Sequence, residues 1–133
     1  MKRLSVLQAK RLGIYSCRAS DSLKVAARLM QSHNISALVV VDAQDRLDGV
    51  ISRTDLVRAC YESPEWDRKT VAGYMATDVV TVAPDDTLER VMALLLQNHI
   101  HRVVAVEQDP AGGKPRPVAV LSAADVVYHM AQE

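Results

Sequence analysis

The chain has 133 residues and weighs 14.6 kDa, enough for one domain or two small halves with a core that needs neither disulfide nor metal. Apolar residues make up 49% and charged residues 24%, which excludes wholesale disorder. Sixteen basic residues balance sixteen acidic ones, which argues against a general nucleic-acid or acidic-membrane binder. Apolar runs end after six residues, as over 91–96, far short of the ~20 that span a bilayer. No signal-length apolar run follows the basic start Met1-Lys2-Arg3-Leu4. Cys17 and Cys60 form no CxxC and no ligand cluster, so a reduced, cytoplasmic setting is expected. Both replace apolar residues of a second half of the chain and read as buried thiols.

In chain order, an extended stretch over 14–17 precedes the start signal Ser20-Asp21-Ser22. Leu23, Ala26, Ala27 and Met30 then recur at helical spacing. The β-branched run over 37–41 predicts a strand buried on both faces, and residues 49–51 predict its neighbour. A helix over 54–61 closes the half. Residues 63–70 read as a linker, polar apart from Trp66 and interrupted upstream of Trp66 by Pro64.

The series then repeats. An extended stretch over 79–82 leads to Pro84-Asp85-Asp86-Thr87, where Asp86 and Glu89 have capping-box spacing. Leu88, Val91, Met92 and Leu95 rebuild the first helical face, and Leu94 and Leu96 widen it enough to demand cover on more than one side. Strands over 102–106 and 118–121 and a helix over 124–131 follow. Residues 6–41 align with 71–106 at a constant offset of 65, and Val50-Ile51-Ser52-Arg53-Thr54-Asp55 aligns with Val120-Leu121-Ser122-Ala123-Ala124-Asp125 at 70. The additional residues lie in the Pro- and Gly-rich segment 107–117, a loop composition. The fold class is α/β, two β-α-β-β-α repeats over 1–62 and 71–133, packed about a pseudo-twofold axis with sheets facing and helices outside. Neither half, at about 60 residues, buries enough surface to stand alone. A ligand cleft is expected where the halves join.

The element order, the length of each half and the apolar-apolar-Ser-x-x-Asp endings resemble a tandem pair of CBS (cystathionine β-synthase) domains. Gly49-Val50-Ile51-Ser52-Arg53-Thr54-Asp55 matches that family's nucleotide-binding signature, and 120–125 matches it with Ala119 where glycine is usual. Thr81-Val82-Ala83-Pro84-Asp85-Asp86-Thr87-Leu88 resembles its repeat opening. The resemblance covers nearly the whole chain and leaves no segment for a separate catalytic domain. Ile100-His101-Arg102 and Ile35-Ser36-Ala37 are similar to elements of the nucleotide-sensing gamma subunit of AMP-activated protein kinase, in which the His-Arg pair faces the ligand phosphate. The resemblance therefore implies an adenosine-containing ligand, with AMP, ADP or ATP first and NAD or S-adenosylmethionine as further candidates. It also implies a homodimer formed through the repeat helices, and an effector protein that reads a conformational change.

Chemistry gives these residues roles. Asp55 and Asp125 can accept hydrogen bonds from ribose hydroxyls, and a charged acceptor strengthens such bonds. Ser52, Thr54 and Ser122 sit at helix starts, which favour anions; the same Ser-x-x-Asp spacing also makes a plain capping box. Arg102 can bond phosphate in a bidentate way, and His101 and Ser36 can add hydrogen bonds. Tyr15 and Ile35 with Val120, and Val80 and Ile100 with Val50, are expected to line the adenine, although apolar residues there serve a core equally well. His99 and His101 have no cysteine or carboxylate at ligand spacing, so no metal is expected; His33 and His129 read as surface residues. No nucleophile–base grouping and no phosphate-binding lysine loop is present, so no enzyme activity is expected. The alternative function is a ligand-free dimerisation or docking module.

Overall fold

The computed structural model describes residues 1–133. Its elements are α1 (Val6–Ala9), β1 (Ser16–Cys17), α2 (Leu23–His33), β2 (Ala37–Val41), β3 (Leu47–Ser52) and α3 (Arg53–Glu62). Two single-turn 3₁₀ segments, Trp66–Arg68 and Val71–Gly73, precede β4 (Thr81–Val82), α4 (Leu88–Gln97), β5 (Arg102–Glu107), β6 (Arg116–Ser122) and α5 (Ala123–Gln132). There are two three-stranded sheets, ordered β1-β2-β3 and β4-β5-β6, each with one parallel and one antiparallel pair. Residues pack into two compact units, Tyr15–Asp78 and Met1–Ile14 with Val79–Glu133.

Each unit is built around its central strand. In Tyr15–Asp78, Leu38, Val39 and Val40 of β2 are fully buried, and Leu23, Ala26 and Met30 of α2 pack with Leu38, Val40 and Ile51 in one core. In the other unit, Val103 and Ala105 of β5, Leu88 and Val91 of α4, and Leu121 make the equivalent core. Truncating a fully buried leucine such as Leu23 or Leu88 costs about 2–5 kcal/mol. Met92 and Leu94 are partly buried against the core, so only Leu96 of that broad apolar helix is strongly exposed.

The helix ends repeat as well. Ser22 caps α2 by accepting from the Val25 N–H, and Thr87 caps α4 by accepting from the Arg90 N–H, both at 3.2 Å. Asp86 is therefore not the cap expected from its spacing to Glu89. Its carboxylate turns back to accept from the Ala83 N–H at 2.8 Å, as Asp21 does from Arg18 N–H. At the other ends, Asn34 and His99 take the left-handed conformation with φ near 50° (50 and 52), and the next amide reaches back to Met30 or Leu95 carbonyl at 3.1 Å.

Each unit is closed by a leading segment from the opposite half of the sequence. The Leu88 N–H donates to the Leu4 carbonyl and the Val6 N–H to the Asp86 carbonyl, both at 2.8 Å. The equivalent bonds in Tyr15–Asp78 run from Leu23 N–H to Lys69 carbonyl at 2.8 Å and from Val71 N–H to Asp21 carbonyl at 2.9 Å. Val6 and Val71 are both fully buried. The polar stretch 63–70 is mostly exposed, but Trp66 packs partly buried against the α2 core, and the Lys24 ammonium sits 5.6 Å from its ring centroid. The sequence reading missed α1, which is a single turn.

Glycine is required at one strand position. Val50 and Ala76 exchange two backbone hydrogen bonds of 2.9 Å, and a Cβ on Gly49 would stand 2.5 Å from the Ala76 carbonyl oxygen. Gly49→Ala should destabilise the fold by about 1–3 kcal/mol through this backbone clash, measured as a lower urea midpoint at unchanged slope.

Cys17 is buried, but Cys60 is exposed, because the buried stripe of α3 runs through neighbouring Ala59. Burial first, and the nearby Asp21 charge second, push the Cys17 thiol up to about 11. A thiolate-specific reagent at pH 8 should modify one thiol, Cys60, in the native protein and both in urea. Because folding raises the Cys17 value, stability is retained below the ordinary thiol range and falls as pH rises from there toward 11.

Candidate ligand-binding site

The two Ser-x-x-Asp segments sit where a strand hands over to a helix. Ser52 ends β3 and caps α3; Ser122 ends β6 and caps α5. In each, one carboxylate oxygen three residues into the helix turns back on the cap. Asp55 Oδ2 accepts from the Ser52 N–H at 2.8 Å and the Ser52 hydroxyl at 2.9 Å. Asp125 Oδ2 accepts from the Ser122 N–H at 2.8 Å and the Ser122 hydroxyl at 3.3 Å. The capping box is real, and it leaves the other oxygen, Oδ1, directed elsewhere.

That second oxygen meets an arginine in both units, from different places. Asp55 Oδ1 accepts from Arg58, one turn along α3, at 3.0 Å. Asp125 Oδ1 accepts from Arg11 Nε at 2.9 Å, across 114 positions of sequence. The Asp55 side chain is 16% exposed and Arg58 48%, against 7% for Asp125 and 33% for Arg11. Neither arginine was among the residues singled out from sequence. The i,i+3 spacing of Asp55 and Arg58 could have revealed one; the Arg11 contact depends on tertiary folding.

The unit Tyr15–Asp78 holds Tyr15, Ile35, Ser36, Val50 and Thr54 as well as Asp55. Tyr15 stacks on His33 at a ring distance of 4.0 Å, while Ile35 is buried in the core. Ser36 is exposed, and its carbonyl accepts from the Arg53 N–H at 2.9 Å. Thr54 is exposed on the first turn of α3. Val50 is committed to the sheet and to its Ala76 bonds.

The other unit holds Val80, Ile100, His101, Arg102, Val120, Ser122 and Asp125. Arg102 opens β5 directly opposite Ser122 in the antiparallel register, so the two side chains share a sheet face. His101 is exposed, and its carbonyl accepts from the Ala123 N–H at 3.1 Å. Val80, Ile100 and Val120 are half-buried. His99 and His101 do not share a strand face: both precede β5, with His99 in a left-handed turn. His129 is partly buried rather than free at the surface, its Nε2 lying 2.7 Å from the Ala9 carbonyl oxygen.

Comparison with known proteins follows the two sequence repeats rather than the packed units. The pattern of the CBS domain matches twice, over residues 10–62 and 71–132. An uncharacterised 17.7 kDa protein of Acidianus ambivalens is 28% identical over 72% of this chain and 57% of its own length. The mitochondrial CBS domain-containing protein CBSX3 of Arabidopsis thaliana is 27% identical over 88% and 56%. The chain thus spans just over half the length of these relatives. Among solved structures, the CBS domain pair of protein MJ0100, in complex with 5′-methylthioadenosine and S-adenosyl-L-methionine, superposes with a TM-score of 0.84 at 22% identity, covering 97% of both chains. The CBS domain of a membrane protein from Sphaerobacter thermophilus superposes at 0.80 and 24% identity, covering 96% of this chain and 88% of that one. With both repeats matched and the fold reproduced, this chain belongs to the CBS domain family as a tandem pair.

Proposed function

We propose that this CBS pair is a regulatory module that binds an adenosine-containing ligand, with AMP, ADP or ATP first among the candidates, and passes the occupancy to a partner protein by conformational change. The observation that carries the reading is the pair of strand-to-helix junctions. Each presents a carboxylate oxygen not used by the capping box, beside a serine hydroxyl and the first amides of a helix. Arg102 across from Ser122 adds a cation suited to phosphate. The complex of MJ0100 with two adenosyl compounds supports this ligand class, since that protein has the same fold. It also keeps S-adenosylmethionine beside the nucleotides, with NAD as a further candidate. No catalytic role is assigned to any residue.

The second reading, a ligand-free docking module, draws on the fact that both carboxylates already hold an arginine. Thermal unfolding separates the two. A ligand at 100 times its Kd adds about 2.7 kcal/mol, which raises the Tm by roughly 5–10 °C. We expect such a rise with one adenylate, and at least a tenfold weaker Kd in Asp55→Asn, because a hydrogen bond to a charged group is worth about 1.5 kcal/mol or more. No shift with AMP, ADP, ATP, NAD or S-adenosylmethionine at millimolar concentration would favour the docking module.

The same proposal includes a homodimer through the outer helices. Val57 of α3 and Val127 of α5 occupy matching positions of the two repeats, yet stay 67% and 58% exposed, and Tyr61 is 91% exposed. Light scattering should show a dimer for the native chain and a monomer for Val57→Asp/Val127→Asp at unchanged helix content.

A further inference from the structure

Resting on the ligand reading above, we propose that Arg11 is the chain's own occupant of the Asp125 half-site. Asp55 is then the tighter ligand position, and filling the second one displaces residues 9–11 from α5.

The two carboxylates are equivalent in their capping bonds and differ in what holds Oδ1. At Asp55 the partner is Arg58, a well-exposed side chain on the same helix. Such exposed i,i+3 pairs are weak, and Arg58 can swing into water without moving the backbone. At Asp125 the residue is only 5% exposed. Arg11 is held by two contacts and its segment by a third: its Nε bonds Asp125 at 2.9 Å, its guanidinium carbon lies 4.8 Å from the Tyr128 ring centroid, and two residues earlier the Ala9 carbonyl oxygen meets His129 Nε2 at 2.7 Å. Asp125, Tyr128 and His129 lie on one face of α5, so a single helix face grips the segment.

A ribose diol donates hydrogen bonds, as Arg11 does. Asp125 is nearly buried, so a diol that reaches Oδ1 competes with the Arg11 N–H for the little access that remains. Releasing a largely buried carboxylate from a guanidinium costs more than releasing an exposed one. The penalty falls on one half-site and not on the other, which makes occupancy sequential. The chain segment that moves is then 9–11, where backbone and side-chain contacts are lost together.

Equilibrium dialysis with AMP, ATP and S-adenosyl-L-methionine tests this on the full chain, using Arg11→Met, Asp55→Asn and their combination. We expect one tight equivalent per chain in the native protein, and a second site gaining at least tenfold in affinity in Arg11→Met. Asp55→Asn should lose the tight equivalent, and Asp55→Asn/Arg11→Met should regain one equivalent. Circular dichroism checks that each variant folds; should Arg11→Met fail, Arg11→Gln, which keeps a neutral donor, carries the comparison. In saturating ligand, trypsin should cleave the native chain after Lys10 and Arg11 faster than in its absence, an effect that a purely structural Arg11 would not produce. If native protein and Arg11→Met bind with the same affinities and stoichiometry, or if Arg11→Met loses binding, the Arg11 assignment is overturned while the ligand reading stands. If no ligand binds any variant, the ligand reading itself fails and the assignment falls with it.

Discussion

A carboxylate placed three residues into the last helix of each repeat fixes the junction on which the rest depends. A strand that ends must dispose of its last amide, and a helix that begins has up to four amides without intrahelical partners. Asp55 and Asp125 address both needs at once, since one oxygen receives the amide and hydroxyl of the serine that ends the strand and caps the helix. The geometry sets the direction in which α3 and α5 leave their sheets. It also leaves a charged oxygen pointing away from the box. Capping and the arginine contact therefore share one residue without competing, because they use different oxygens.

The leading segments show a second constraint. A three-stranded sheet with two helices leaves an apolar gap beside the first helix, and each unit fills it with residues from the opposite half of the sequence. Val6 lies beside α4 and Val71 beside α2, and matching amide–carbonyl bonds fasten each segment to its helix start. Buried amides need partners, so the exchange meets hydrogen-bonding and packing needs together. It also explains why neither stretch of sequence read as one repeat is the same set of residues as one packed unit.

The sequence made the repeat legible because burial enforces period. Leu23, Ala26 and Met30, and Leu88, Val91 and Leu95, recur at helical spacing because those positions face the core. The run 37–41 is β2 itself, and its interior is buried because that strand is the middle one of its sheet. The two serine–aspartate junctions were visible for the same reason, as local patterns with a fixed spacing. Features that depend on distant partners were not legible. Cap assignment failed at Asp86, where two hydroxyl or carboxylate candidates stand side by side and only the turn at Ala83 decides between them. The depth of Trp66 and the exposure of Cys60 follow from where the packed face of a helix falls, which a one-residue rotation reverses. Arg11 carries no sequence mark at all, since its partner lies 114 residues away.

Gly49 and Ala119 stand at matching strand positions of the two repeats. In Tyr15–Asp78, glycine lets the backbone at Ala76 approach β3 and pair with Val50 through two hydrogen bonds, so this end of the leading segment is held by main chain. The repeat offset places Arg11 at the position of Ala76. The position matching Gly49 is Ala119 of β6, and no backbone bridge like that of Val50 with Ala76 joins β6 to Arg11. The matching end of the segment there is held through side chains: Arg11 on Asp125, the guanidinium near Tyr128, and His129 beside the Ala9 carbonyl. Main-chain pairing leaves the chemistry of its neighbourhood untouched. Side-chain pairing draws on the second oxygen of the nearly buried Asp125 carboxylate, whereas the matching oxygen of Asp55 is held by Arg58 of its own helix. The asymmetry between the two serine–aspartate junctions thus follows from how each leading segment is held, one level of structure below the junctions themselves.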